Sequence, residues 1–307
     1  MQTQTIKAEI KKSYGDIAKG DNSGGCCSNK ACCTNESFID MTEGYDMIEG
    51  YHKEADLSLG CGIPTEIAAI KAGDTVIDLG SGAGNDVFIA RKIVGETGKV
   101  IGIDMTTEMV IRALQNNQKL GYKNVEFVLG EIENMHGIPG NTADVVISNC
   151  VMNLVPDKEK AFKEVHRILK ANGHFSISDI VYSGYLPDGV LEAAEMYAGC
   201  VAGASEKGKY LGIIKAIGFK NIQTKKERLI DLPDELLLKY INTDELEKFR
   251  QSGSGVYSIT IYADKLDEGK CCDSNENGCC GSESAATPEK SGCCGAGENR
   301  VGLVCCG

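Results

Sequence analysis

The 307-residue chain contains fifteen cysteines, and their spacing divides them into two sets. Twelve stand in adjacent pairs: Cys26/Cys27, Cys32/Cys33, Cys271/Cys272, Cys279/Cys280, Cys293/Cys294 and Cys305/Cys306. These lie in Gly-, Ser- and Asn-rich ends, and their spacing is not the Cys-x-x-Cys of zinc sites. Cys61, Cys150 and Cys200 stand alone in the middle of the chain. Thiolates are strong nucleophiles and select soft ions, so three single thiols that converge would form a site for a soft centre. The competing reading is that each is a small buried hydrophobe, a common fate of free cysteine.

A second constellation lies in Val76-Ile77-Asp78-Leu79-Gly80-Ser81-Gly82-Ala83-Gly84. The glycines permit a tight turn and close approach of backbone to a ligand. A bare Gly-x-Gly fits several nucleotide-type cofactors. Here the third glycine follows the second by two residues, not three, which suits a Rossmann dehydrogenase less well. The next apolar segment ends in Asp104-Met105, and an acid there suits hydrogen bonds to a ribose diol. The one after ends in Gly130-Glu131-Ile132-Glu133, where a carboxylate reaches an adenine amino group. Asp78, Gly80, Ser81, Gly82, Gly84, Asp104, Met105, Glu131, Ile132 and Asn149 are the expected cofactor contacts. Cys150 stands in "ISNCVMNLVP", after the fourth apolar segment, where an acceptor pocket is expected. Cys61 precedes the first segment, in "LSLGCGIPT", and Cys200 follows the fifth.

The elements that position these residues are legible in the periodicity. "TVIDL", "KVIGIDM", "VEFVLGEIE", "ADVVISNCVMNL" and "GHFSISDIV" read as buried strands. "NDVFIARKIVG", "TEMVIRALQNNQKLG" and "DKEKAFKEVHRILKANG" read as the helices between them, with a further helix at residues 45–59. Such alternation over about 110 residues implies a parallel sheet covered on both faces. Later, "DGVLEAAEMYAGCVAGA" and "KGKYLGIIKAIGF" read as helices, "NIQTKKERLI" and "GVYSITIYADKL" as strands. Three regions are expected: an N-terminal helix and Cys-rich loop over 1–40, the main domain over 41–266, and a disordered Cys-rich tail over 267–307. The tail has too few large apolar residues to offset its ordering entropy. Its cysteine pairs are expected to scavenge a soft metalloid.

Bulk properties narrow the function. The net charge of −12, with no Lys/Arg-rich run, excludes the electrostatic footprint of a nucleic-acid binder and disfavours anionic membranes. No apolar run approaches the roughly 20 residues of a membrane span, and the polar N-terminus lacks the apolar core of a secretory signal. A cytoplasmic location with reduced thiols is expected.

A methyl acceptor must be held in line with the donor carbon about 3 Å away. Trivalent arsenic is a soft, three-coordinate centre that thiolates bind and whose lone pair still attacks a methyl group. At this point "DLGSGAGNDVFIARKIVGETGKVIGIDMTTEM", "LGCGIPT", "SNCVMNLVPDKEKAFKEVHRILKANGHFSISDIV" and "YAGCVAGA" resemble the microbial arsenite S-adenosylmethionine methyltransferases over roughly residues 10–265. The resemblance implies a class I methyltransferase fold: a Rossmann-like, mostly parallel sheet with a final antiparallel strand and helices on both faces. It implies S-adenosyl-L-methionine as cofactor, and arsenic bound by Cys150 and Cys200, with Cys61 in substrate handling and thiol exchange. A fourth family cysteine falls among Cys26, Cys27, Cys32 and Cys33. Arsenite and methylated arsenicals are the implied substrates, with thiols such as glutathione or thioredoxin as reductants. Two rival functions are a small-molecule C-methyltransferase of the quinone-biosynthesis type and a non-catalytic metalloid-binding protein.

Overall fold

The computed structural model describes residues 2–20, 44–190 and 203–266. The N-terminal cysteine pairs, Cys200 and residues 267–307 lie outside the described residues.

The apolar segments form the centre of one sheet. β1 (Thr75–Leu79), β2 (Lys99–Asp104), β3 (Val125–Leu129), β4 (Ala143–Asn149) and β5 (Leu169–Ser183) run parallel to one another. β1, β2 and β4 are buried along almost their whole length, as strands covered on both faces must be. α3 (Asn85–Val94), α4 (Thr107–Leu120) and α5 (Lys158–Ile168) make the crossovers. A two-residue strand β6 (Ser205–Glu206) adds to β5, and α6 (Lys207–Ile217) leads into β7 (Lys220–Leu229). After α7 (Asp234–Leu237) and α8 (Thr243–Gln251), β8 (Gly255–Asp264) inserts antiparallel between β5 and β7. The order is β3-β2-β1-β4-β5-β8-β7, with β8 alone reversed. This is the Rossmann-like class I arrangement that the alternation and the resemblance implied.

Two layers of core enclose the sheet. Phe162 of α5, Phe175 of β5, Tyr210 of α6 and Phe219 pack edge-to-face or tilted at ring separations of 4.8–5.9 Å, a geometry the aromatic quadrupole favours. On the other layer Val87, Phe88, Ala90 and Val94 of α3 cover Val76, Val100, Val145 and Ile147. α1 (Gln2–Lys19) lies on α4 and α2 (Pro64–Ile67) on β5.

Two local expectations need correction. Residues 45–59 form turns, not a helix. Gly50 takes φ +95° against α3, where a side chain would stand 2.9 Å from Lys92 Cβ and 3.0 Å from Ile89 Cα. Ser58 is also left-handed, and Asp56 caps its amide at 2.8 Å. The helix expected through Gly173 ends at Ile168. The next residue, Leu169, is fully buried and pairs with Ala143, and Asn172 turns through φ +62°. Burial of Leu169 in the sheet outweighs its helix propensity.

Candidate active site

The carboxyl ends of β1, β2 and β4 open into a cleft, the position at which open α/β sheets bind ligands. Gly80 bends the chain out of β1 at φ +70°, and its amide and that of Ser81 donate to Ile103 O at 2.7 and 3.0 Å. A Cβ at Gly80 would lie 2.4 Å from the Val151 side chain, so only glycine fits. Gly82, at φ +51°, has nothing within 4 Å of its Cβ position and leaves the floor of the cleft open. Gly84 does not line the cleft. It starts α3 at φ +99°, where a Cβ would stand 2.8 Å from the Phe88 ring.

The other expected cofactor contacts, Asp78, Ser81, Asp104, Met105, Glu131, Ile132 and Asn149, all line the cleft. Asp104 is buried; its Oδ2 accepts from Gly82 N at 2.9 Å and its Oδ1 from Thr106 N at 2.8 Å. Burial raises its pKa against the opposing pull of these bonds. Burial, and then the charges of Asp86 and Asp104, push Asp78 well above the usual carboxylate range. Burial also pushes Asp86 up to about 6. At the far end α1 closes over the cleft with Lys7, Ile10 and Tyr14. Lys7 pairs with Glu131 at 2.9 Å and with Glu133, and Lys11 reaches Glu131 at 3.1 Å. The Lys7 and Lys11 ammonium groups hold Glu131 below the ordinary carboxylate range.

Two of the three single thiols belong to one buried cluster next to this cleft. Cys150 lines it, directly after β4, at φ +59° with its amide donating to Ser178 O at 2.8 Å. Such a backbone is costly for a non-glycine residue and persists only where the surroundings impose it. Cys61 and Cys150 are 0% and 3% exposed, belong to one apolar cluster with Ile180, Val190 and Val256, and neither forms a disulfide. The Cys61 loop is pressed between two walls. A Cβ at Gly60 would stand 2.6 Å from Asn149 Nδ2, and one at Gly62 would stand 2.7 Å from Ser178 Oγ. The glycines on either side of Cys61 are what allow this approach. Asn149 Oδ1 accepts from Cys61 N at 3.0 Å and from Gly62 N at 3.3 Å, and Ser258 Oγ donates to Cys61 O at 2.6 Å. Among the described residues no three Cys, His, Asp or Glu side chains are grouped closely enough to hold a metal ion.

Comparison with known proteins fits this geometry. A methyltransferase-domain family model matches residues 70–218. An arsenite methyltransferase of Halobacterium salinarum is 42% identical over 211 residues, 69% of this chain and 51% of its own length. The crystal structure of an arsenic(III) S-adenosylmethionine methyltransferase from Chlamydomonas reinhardtii superposes with a TM-score of 0.58 at 33% identity, covering 69% of each chain. The chain belongs to the arsenite methyltransferase family. It spans about half the length of the curated relatives it matches. A quinone-biosynthesis C-methyltransferase of Escherichia coli is 31% identical over a shorter stretch, 113 residues or 36% of this chain.

Several residues around the family's cleft were not legible in the sequence. Tyr45 and Asp86 line it and share a hydrogen bond of 3.1–3.2 Å. Burial raises the Tyr45 hydroxyl far above an ordinary phenol, and the facing Asp86 adds to the effect. Asp86 lies one residue beyond the Gly-x-Gly-x-Gly-Asn run, so its position next to the turn was the available signal. Asp179 of β5 is fully buried, accepts from Tyr210 Oη at 2.9 Å, and is pushed by burial up to about 7. Lys7 gave no signal, because nothing in the sequence of α1 shows which residue faces Glu131.

No helix among the described residues is long and apolar enough to cross a membrane.

Proposed function

We propose that this chain transfers methyl groups from S-adenosyl-L-methionine to trivalent arsenic held by its own thiols. The observation that carries this reading is that Cys150 lines the cofactor cleft while buried Cys61 belongs to the same apolar cluster behind it. A methyltransferase acting on a carbon acceptor has no need of that pair.

The cleft suits the cofactor. Ser81 Oγ and Asn85 Oδ1 are buried in the lining without a protein partner, and Gly82 leaves open space above its backbone. Asp104 would accept from the ribose hydroxyls and Glu131 from the adenine amino group. Burial raises the pKa values of Asp78 and Asp86, and a cationic ligand beside them would favour their ionised forms. When bound, S-adenosylmethionine supplies an electrophilic methyl group on a cationic sulfur.

Arsenous acid exchanges hydroxyls for thiols with release of one water per As–S bond, and no catalytic base is required for attack by the arsenic lone pair. Cys150 fixes the arsenic near the methyl carbon. Cys200, outside the described residues, would complete the ligand set, and Cys61 would exchange with the remaining position. The dry surroundings of Cys61 and Cys150 keep water from competing for arsenic. Methyl transfer oxidises the arsenic by two electrons, and external thiols such as glutathione or thioredoxin would return it to the trivalent state. One of the N-terminal cysteines Cys26, Cys27, Cys32 or Cys33 would take part in that exchange.

The test is arsenic speciation by chromatography and mass spectrometry after incubation with arsenite, S-adenosylmethionine and a thiol. Mono- and dimethylated arsenic is the expected result. Arsenic bound stoichiometrically without methylated product would replace this reading with metalloid storage. Absence of both would return the protein to carbon-acceptor methyltransferases.

A further inference from the structure

The side chain of Asn149 borders the cleft, yet its hydrogen-bonding capacity is directed away from it. Oδ1 accepts the amides of Cys61 and Gly62. Nδ2 lies 2.7 Å from Gly62 O, 2.7 Å from Tyr45 Oη and 3.1 Å from Asp86 Oδ2. Nδ2 carries two hydrogens and the Tyr45 hydroxyl one. One arrangement uses all three: Nδ2 donates to Gly62 O and Tyr45 Oη, and Tyr45 donates to the Asp86 carboxylate. Both short contacts of Nδ2 are then satisfied, and Asp86, an acceptor when ionised, fixes the direction of the chain. Turning the amide over would set its NH2 group against the Cys61 and Gly62 amides, donor against donor. Asn149 therefore has one orientation, and in that orientation no donor remains for a ligand.

We propose that Asn149, oriented by Tyr45 and Asp86, is the positioning residue that sets the Cys61 loop against Cys150 and so determines the thiol pair offered to arsenic. The inference rests on the arsenic-handling role given to these cysteines. Three observations converge on it. Asn149 is the residue immediately before Cys150, so the same strand end that bears one thiol grips the loop that bears the other. The grip is close: Gly60 leaves no room for a side chain beside Asn149. Tyr45 Oη, the orienting hydroxyl, also stands 2.9 Å from Gly62 O, so it lies against the same loop.

The assay is the rate at which N-ethylmaleimide modifies Cys61 in the folded full chain, read peptide by peptide by mass spectrometry. Calorimetric titration with S-adenosylmethionine and a thermal melt accompany it. Asn149→Ala and the milder Tyr45→Phe are compared with the wild type. Expected are a tenfold or greater acceleration at Cys61 for Asn149→Ala and a smaller one for Tyr45→Phe, with cofactor affinity within twofold. In the methylation assay the KM for arsenite rises at least tenfold and the KM for S-adenosylmethionine stays unchanged. Weakened cofactor binding with Cys61 alkylated at the wild-type rate would overturn the proposal and make Asn149 a cofactor contact. Unchanged values for both would overturn it as well. So would parallel losses in both variants together with a lowered melting temperature, which would mark general packing. Alkylation requires no arsenic, so a wild-type chain that makes no methylated arsenic would refute the proposed function and leave this result standing.

Discussion

Replacing Asp104 with asparagine separates the carboxylate's two duties. Its oxygens already accept the amides of Gly82 and Thr106 at 2.9 and 2.8 Å. A carboxylate has about four lone-pair positions, so two strong amide bonds do not exhaust its capacity to accept from a ribose diol. Asparagine preserves the shape but turns one oxygen into a donor, which must then face one of the two backbone amides. Each charge-assisted hydrogen bond to ribose is worth about 1.5–3 kcal/mol, and a neutral amide oxygen retains part of one. The expected loss is about 1–3 kcal/mol, or roughly 5- to 150-fold in the dissociation constant of S-adenosylmethionine. Alanine is a poorer probe, because it would orphan two amides and disturb the glycine turn. The measurement is calorimetric titration of the folded variant across pH. Burial raises the pKa of Asp104, so wild-type affinity should weaken as acid converts the acceptor into a hydroxyl donor. Asp104→Asn should lack the part of the pH dependence due to this group. Wild-type affinity in a folded Asp104→Asn protein would refute the placement of ribose at the end of β2.

Four further outcomes are expected. Cys150→Ser replaces a soft thiolate with a hard, neutral hydroxyl and should abolish methylation of every arsenic substrate while calorimetry still shows cofactor binding; Cys61→Ser should stop the first methylation and spare a later one. Asp86→Asn should stabilise the cofactor-free protein at pH 7 by up to roughly 3 kcal/mol, the worth of moving an ordinary aspartate to about 6. The folded state holds this proton where the unfolded chain has lost it, so the group's destabilisation grows as pH rises from about 4 through 6. The advantage of the variant in thermal melts should therefore vanish near pH 4. Deletion of 267–307, chosen on composition alone, should leave melting temperature and turnover at saturating arsenite unchanged and lower turnover only at scarce arsenite; global unfolding of the truncated chain would contradict it.

The sheet was legible because its information is local. "TVIDL", "KVIGID" and "ADVVISN" are uninterrupted apolar runs that only a doubly covered strand explains. The glycine turn and Asp104 followed from their spacing to those runs. The Asn149–Tyr45–Asp86 arrangement was illegible for the opposite reason. Its members are 104 and 63 residues from Asn149 in sequence, and polar side chains there fit a solvated surface equally well. Residues 45–59 carried helix-compatible types, yet the close approach of Gly50 to α3 decided their path. Lys7 illustrates the same limit: amphipathic spacing gives a helix but not the carboxylate it meets.

The hydrogen bond from Ser258 to Cys61 has a consequence for how the protein is made. The two residues are 197 positions apart, and β8, which carries Ser258, pairs between β5 and β7 only after the rest of the sheet has been synthesised. Contacts this distant in sequence form late on a ribosome, where domains acquire structure from the N-terminus onward. The parallel strands and the glycine turn can be complete while the Cys61 loop still lacks its backstop on β8. On the proposed function, the cofactor cleft would thus be assembled before the metalloid site along the growing chain. Until β8 emerges, the Cys61 carbonyl lacks the Ser258 hydroxyl that it accepts from in the folded chain.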